Sequence, residues 1–207
     1  INLPPCSIHV WRQCNTMSVA RNFAEEDMNI LHPRVDRRFE SDGITGTAFP
    51  LYEWLLANFM RFIGNPNYLS RIFSLFISVI GIIFCYRFVG IISDNKTVAA
   101  FTASSICWAP EFFYHSMNAL PDILALTLAF ASLYYFEKSI KSNSLSVFAI
   151  AMLLLTLSGL VKIQYLMIGA YFAIIFLLHL TKNTESILTK NKFSIVVAGC
   201  LSIVITI

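Results

Sequence analysis

Charge is scarce in this chain. Of its 207 residues only 13% are Asp, Glu, Lys or Arg, about half the share that a soluble domain carries. The polar surface of an ordinary water-soluble enzyme cannot be assembled from so few. Glycine and proline are also thin, at 8 and 7 residues, which excludes a collagenous or Pro/Gly-rich disordered chain. The phosphate-cradling G-x-x-x-x-G-K-[ST], the dinucleotide fingerprint G-x-G-x-x-G, the zinc motif H-E-x-x-H and the nucleophile elbow G-x-S-x-G are all missing. ATP-driven and Rossmann-type readings therefore get no support. A net charge of +3 is too small to suggest a nucleic-acid partner. There is no internal repeat, heptad array or low-complexity tract.

What the chain has is apolar surface: 57% of residues are hydrophobic, 14% aromatic, and the mean hydropathy is +0.66. A helix needs about 20 mostly apolar residues to cross the hydrocarbon, because every backbone polar group must be satisfied internally. Residues 72–92 meet that requirement, and 98–114 form a weaker candidate containing Ser104, Ser105 and Pro110. Residues 120–136, 145–161 and 163–180 follow, and 193–207 reads as a sixth span cut short. The fourth and fifth spans nearly touch at Lys162, which predicts a tight turn. The chain starts at Ile1 and stops inside an apolar run, so it is expected to be a fragment of a longer protein.

The few charges are unevenly placed. Residues 1–70 carry Arg12, Arg21, Arg34, Arg37, Arg38 and Arg61 against Glu25, Glu26, Asp27, Asp36, Glu40, Asp42 and Glu53. This polar segment precedes a membrane domain, 71–207. Positive residues are retained on the cytoplasmic side. With residues 1–70 outside, one side of the membrane collects Arg87, Lys96, Lys138, Lys141, Lys182, Lys190 and Lys192, and the other only Arg71 and Lys162. This orientation puts the loop around Glu111, His115 and Asp122 on the outer face, where it can meet the polar segment. Within that segment Val10 to Phe23 has helical spacing. Residues 51–63 place Leu51, Trp54, Leu55, Phe59 and Phe62 on one face, as in an interfacial helix anchored by Trp54. Residues 33–49 read as a loop.

Several residues invite a chemical reading. Arg34, Asp36, Arg37, Arg38, Glu40 and Asp42 form either a solvated loop with exposed ion pairs or a surface that holds a phosphate, with a carboxylate as base or metal ligand. Asp122 follows Pro121 at the start of an apolar run, where an acid either caps a helix or serves a site. His115 is a possible partner on the same face. Lys162 either snorkels to the interface or contacts a phosphate. Cys6 and Cys14 form a disulfide if the compartment is oxidising; with His9 they make three metal ligands whose spacing matches no closed zinc motif. Cys85, Cys107 and Cys200, in spans, behave as small apolar residues.

The string His9-Val10-Trp11-Arg12-Gln13-Cys14-Asn15-Thr16, continuing Ala20-Arg21-Asn22-Phe23, resembles the H-x-W-R-Q-x-D-T…A-R-N-F opening of bacterial membrane glycosyltransferases with the GT-C fold. That group is related to dolichyl-phosphate-mannose protein mannosyltransferases and lipid A aminoarabinose transferases. Pro33-Arg34-Val35-Asp36, Gly46-Thr47-Ala48-Phe49-Pro50-Leu51-Tyr52, Arg71 with Ser74, and Leu120-Pro121-Asp122 resemble the family's later landmarks in the same order, and Lys162 follows an apolar span as a family lysine does. The resemblance covers essentially the whole chain. It implies an all-α polytopic membrane protein, a GT-C-like transmembrane helix bundle with an external loop carrying juxtamembrane helices. The implied activity is transfer of a sugar from a polyprenyl-phosphate donor to a periplasmic acceptor at the bacterial inner membrane, with no nucleotide and with a divalent metal as one option. Asp36 and Asp122 are then the acidic candidates, and Arg12, Asn15, Arg34, Arg37, His115 and Lys162 the substrate contacts. Two positions depart from the pattern: the family aspartate after W-R-Q falls on Asn15, and a glutamate before F-P-L falls on Ala48. Asparagine cannot act as a base, so either Asp36, Glu40 or Asp42 supplies the carboxylate or this copy is impaired. A transporter for a polyprenyl-linked substrate is the alternative from another class.

Overall fold

The computed structural model describes residues 8–46, 48–64 and 67–181. Its elements in chain order are α1 (Val10–Glu25), α2 (Leu51–Ile63), α3 (Asn67–Ser93), α4 (Lys96–Cys107), α5 (Pro110–Ser116), α6 (Asp122–Ser142), α7 (Leu145–Val161), a 3-10 helix (Ile163–Met167) and α8 (Ile168–Thr181). Among the described residues there is no strand, only an isolated bridge between Arg34 and Ile44. The all-α expectation holds. Tyr68–Ser93 and Asp122–Ser142 are long and apolar enough to cross a membrane, and Leu145–Val161 and Ile163–His179 are shorter apolar helices.

The surface of α3 shows which solvent it meets. Ile72, Leu75, Phe76, Val79, Ile83 and Tyr86 are exposed along one stripe, while Ser70, Ser74 and Ser78 are buried together with Leu69, Phe73, Ile77 and Cys85. A long stripe of bulky apolar side chains left outside while serines are taken inside is the pattern of a helix bathed in lipid, and the chain is an all-α membrane protein.

One expected span is not continuous. Residues 98–114 divide into α4, 12 residues long, and α5, which starts at Pro110. Proline has no N–H to continue the helix before it, forces the preceding residue out of the α region, and suits the first helical position. Ala109 is accordingly extended, at φ −67° and ψ 124°. The turn at Lys162 is present, with φ −154° and ψ 107°. The segment after it opens as a 3-10 helix and becomes α-helical at Ile168. The expected span at 193–207, the lysines beyond Thr181, and Cys6 and Cys200 lie outside the described residues.

The chain divides into two compact units, Ile1–Val79 with Trp108–Leu124, and Ile80–Cys107 with Ala125–Ile207. In the first, α1 packs on α2 through Val19, Phe23 and Ala57, with Met28, Val35 and Trp54 against them. Trp54 is drawn into this packing and donates its indole N–H to the Met28 carbonyl at 2.9 Å, which ties α2 to the loop after α1. Below it, the buried Tyr52 hydroxyl and the Ser74 hydroxyl lie 2.7 Å apart, and Ser74 donates to the Asn118 carbonyl at 2.8 Å. This chain of hydrogen bonds fixes the strip of backbone that leads into α6.

The second unit is organised around Phe136, Phe148, Ala151, Leu155 and Phe172. The rings of Phe136 and Phe172 stack with centroids 3.9 Å apart. Ser158 donates to the Ala125 carbonyl at 2.8 Å, joining α7 to α6.

Candidate functional site

Most of the predicted residues fall in the first unit, and α1 organises them. The chain enters α1 at His9, whose ring meets that of Tyr114 edge-on with centroids 5.9 Å apart. Gln13, buried one turn on, donates to the Tyr114 hydroxyl at 3.3 Å. The next contact is the central one. Arg12 Nη2 lies 3.3 Å from Asp122 Oδ2, with the Asp122 side chain 6% exposed and that of Arg12 41%. Asp122 is the first residue of α6, where the positive end of the helix dipole favours a carboxylate. The acidic helix start and the ion pair are thus one arrangement, and the segment carrying Glu111, His115 and Asp122 meets the N-terminal polar segment as expected.

His115 lies one turn before Asn118 on α5, half-buried, with Nε2 3.3 Å from the exposed Glu111 carboxylate. Its ring thus faces the Glu111 carboxylate.

A second cluster lies on the opposite face of α1. Asp36 receives hydrogen bonds from Arg21 at 2.6 Å and from Asn22 at 3.1 Å. Asn22 also donates to the Arg34 carbonyl at 2.9 Å. Partial burial works against the Asp36 carboxylate, but the bonds from Arg21, Asn22 and Ser18 outweigh it and hold its pKa below the ordinary aspartate value. Arg34 is committed to Glu26 at 3.1 Å. Arg38 pairs with the same carboxylate, and its hydrogen bond does most to hold Glu26 below the usual range, against some burial. Arg37 is exposed, with its guanidinium 4.7 Å above the Phe39 ring. Trp11, Cys14, Asn15 and Ser18 from α1, with Val35, Asp36, Arg37 and Thr45 from the loop, line a cleft of about 390 Å3.

The two acidic candidates are therefore not gathered into one cluster. Arg12 and Arg21 are nine residues apart, about two and a half helical turns and about 13.5 Å along the axis. Asp122 and Asp36 are tied to opposite faces of α1. Lys162 belongs to the second unit, half-buried, its N–H donating to the Ser158 carbonyl at 2.9 Å.

Glu53 is the residue that sequence reasoning missed; it enters there only as one charge among seven. It occupies the first turn of α2, half-buried. Burial pushes its carboxyl up to about 7, against the opposing effects of its own backbone N–H, a hydrogen bond from Thr16 and the charge of Arg12. Arg12 thus acts on Glu53 through its charge while it pairs with Asp122. Among the described residues no three His, Cys, Asp or Glu side chains are grouped as in an all-protein metal site.

Comparison with known proteins adds one match. The family model described as dolichyl-phosphate-mannose-protein mannosyltransferase matches residues 47–207. That range includes Glu53, His115, Asp122 and Lys162, and leaves Arg12, Asn15, Arg34, Asp36 and Arg37 before its start. No curated protein and no solved structure shows a significant match.

Proposed function

The chain belongs to the dolichyl-phosphate-mannose-protein mannosyltransferase family, a family of membrane glycosyltransferases, and from that premise we propose that it transfers a sugar from a polyprenyl-phosphate donor to an acceptor on the outer face of a bacterial inner membrane. Residues 1–70 then lie on the periplasmic side, with membrane lipids around the apolar helices. The observation that carries the reading is Arg12 held 3.3 Å from the buried Asp122. A guanidinium fixed by a buried carboxylate at the head of an apolar helix keeps further N–H donors available for a second anion, such as the phosphate of a lipid carrier.

The chemistry is simple in outline. The acceptor hydroxyl oxygen forms a bond to the anomeric carbon while that carbon's bond to the phosphate oxygen breaks. The electron pair leaves with the polyprenyl phosphate, whose charge Arg12 stabilises. The hydroxyl proton passes to a carboxylate. Asp122 orients Arg12, and Asn15, Asp36 and Arg37 line a cleft in which a polar acceptor can be held. Arg34 and His115 complete the proposed set of substrate contacts in this unit, and Lys162, in the other unit, is a separate candidate for a phosphate contact. No nucleotide is required.

The test is incorporation of labelled sugar from a polyprenyl-phosphate sugar by the purified protein in liposomes, with Asp36→Asn and Asp122→Asn beside the parent. We expect transfer by the parent and a loss of at least about tenfold in Asp122→Asn. Full activity in both variants would remove the two acids from the mechanism. A parent that binds the carrier without transferring sugar would be a binding-only member of the family, the reading that Asn15 and Ala48 favour.

A further inference from the structure

We propose that the cleft between α1 and the 33–45 loop binds a sugar ring of the acceptor, stacked on the Trp11 indole, and that the acceptor is therefore a saccharide rather than a peptide hydroxyl or a lipid. The inference rests on the glycosyltransferase reading above and names the acceptor class for its cleft.

Trp11 is the observation to be explained. It is 81% exposed, although Val19 and Phe23 of the same helix are buried, so α1 has a packed face and Trp11 is not on it. Trp11, Cys14, Asn15 and Ser18 stand at i, i+3, i+4 and i+7, one side of a helix, and all four line the cleft. A large aromatic surface is thus held in water at the edge of a cavity of about 390 Å3 whose other lining is mostly polar. That volume falls within the usual range of small-molecule sites, about 300–1,000 Å3. An apolar face beside convergent hydrogen-bonding groups matches a sugar, which presents C–H groups on the face of its ring and hydroxyls around the rim.

The rim partners are in place. Asp36 Oδ2 accepts from Arg21 at 2.6 Å and Oδ1 from Asn22 at 3.1 Å, which fixes the carboxylate while its side chain stays 51% exposed. Each carboxylate oxygen can accept a second hydrogen bond, here from a sugar hydroxyl. Asn15 both donates and accepts, so the amide that departs from the family aspartate suits a hydroxyl in either role. One carboxylate and one guanidinium, Arg37, line the cleft, a balance that fits a neutral ligand.

The other acceptor classes fit less well. An acyl chain would have to lie against Asp36 and Arg37, which would lose water without gaining a partner. An extended peptide is commonly read by strand addition, but the N–H groups of Val35 and Thr45 are already bonded across the loop to Gly43 and Pro33. The cleft also adjoins the donor side. Arg12 and Asn15 are three residues apart on α1, neighbours on the helix surface with Cβ atoms about 5–6 Å apart. A ring seated against Asn15 therefore presents a hydroxyl beside the arginine proposed to hold the donor phosphate.

The experiment measures initial rates of labelled-sugar transfer from a polyprenyl-phosphate sugar by the protein in liposomes. The acceptor probes are glucose, galactose and N-acetylglucosamine oligosaccharides, a serine/threonine peptide and a phosphatidylglycerol vesicle. We expect saturable transfer to a saccharide. Trp11→Ala should raise the saccharide KM about tenfold or more, as loss of an aromatic anchor does, with kcat and the donor KM within about threefold; Trp11→Phe should recover most of the loss. Binding is read separately from tryptophan fluorescence during titration with the same oligosaccharides. The chain has three tryptophans, and Trp11→Phe should abolish the change. Transfer to the peptide or the lipid alone, or an unchanged saccharide KM in Trp11→Ala, overturns this inference and leaves the glycosyltransferase reading intact. A parent that shows the fluorescence change without transfer keeps the saccharide site and overturns that reading, and a parent that shows neither overturns both.

Discussion

Removing one member of the Arg12–Asp122 pair should do unequal damage depending on which member goes. In Arg12→Ala, Asp122 keeps a carboxylate that is 6% exposed and loses its counter-charge. Breaking a fully buried pair in this way costs about 3–5 kcal/mol, and an exposed pair contributes about 0–1. Arg12 is 41% exposed, so water already screens part of the interaction, and the start of α6 gives the carboxylate some residual stabilisation. A loss of about 1–3 kcal/mol follows. For a chain of this size each kcal/mol lowers Tm by about 2–4 °C, so Arg12→Ala should melt about 2–12 °C below the parent in detergent or nanodiscs. Asp122→Asn leaves Arg12 able to reach water and should cost less. The double variant should be more stable than the sum of the two losses predicts, because the stranded charge is gone. Arg12→Ala melting with the parent, or a coupling below about 0.5 kcal/mol in the double-mutant cycle, would show that the pair is incidental.

Three further outcomes follow from the packing. Gly43 has φ +72°, and a Cβ there would meet Arg38 Cγ at 2.6 Å and the Val35 carbonyl oxygen at 2.9 Å; Gly43→Ala should therefore cost at least about 1–2 kcal/mol and speed hydrogen exchange at Val35 and Thr45, whose N–H groups bond across the loop at 3.0 and 2.9 Å. A Cβ on Gly81 would come within 2.6 Å of the Thr127 hydroxyl, on a β-branched side chain with little freedom to turn away, so Gly81→Ala should lower stability by about 1–3 kcal/mol and Thr127→Ala should restore much of it; equal melting of Gly81→Ala and the parent would refute the close approach. Because Arg38 and Arg34 hold Glu26 below its ordinary pKa, its contribution to the 33–45 loop is complete above the ordinary glutamate value, about 4.3, and is lost as pH falls through the lowered native value; cleavage of the loop by an acid protease should rise over that range in the parent and show a weaker pH response in Glu26→Gln.

Much of the fold was legible because the determinants are local. The bounds of α2 and the start of α1 follow from apolar spacing, and the turn at Lys162 from a lysine between two apolar runs. The break at Pro110 was harder to read. Residues 98–114 have the hydropathy of a weak span, and only the backbone chemistry of proline, which composition ignores, divides them into α4 and α5. The contact of Trp54 was illegible for a related reason. An amphipathic helix with a tryptophan reads the same whatever its indole N–H meets, and the partner here is the carbonyl of Met28, 26 residues back in the chain, at 2.9 Å.

The site was legible as a set of residues but not as an arrangement. Pattern reading places Arg12, Asn15, Asp36 and Asp122 on one outer surface without specifying the face of α1 to which each attaches. A helix separates residues by 100° per step, so Asn15 and Ser18 turn toward the loop with Trp11, while Arg12 and Thr16 turn toward α2 and the head of α6. The short polar segment can therefore present two different environments, a solvated cleft in which Asp36 stays ionised and a desolvated contact in which Glu53 can hold a proton. Glu53 escaped notice because an acidic residue in the first turn of a helix ordinarily explains itself as a helix-start signal. That explanation weakens at Pro50: without an N-cap N–H to receive it, the carboxyl turns to its own backbone N–H and to Thr16, with the charge of Arg12 acting on it.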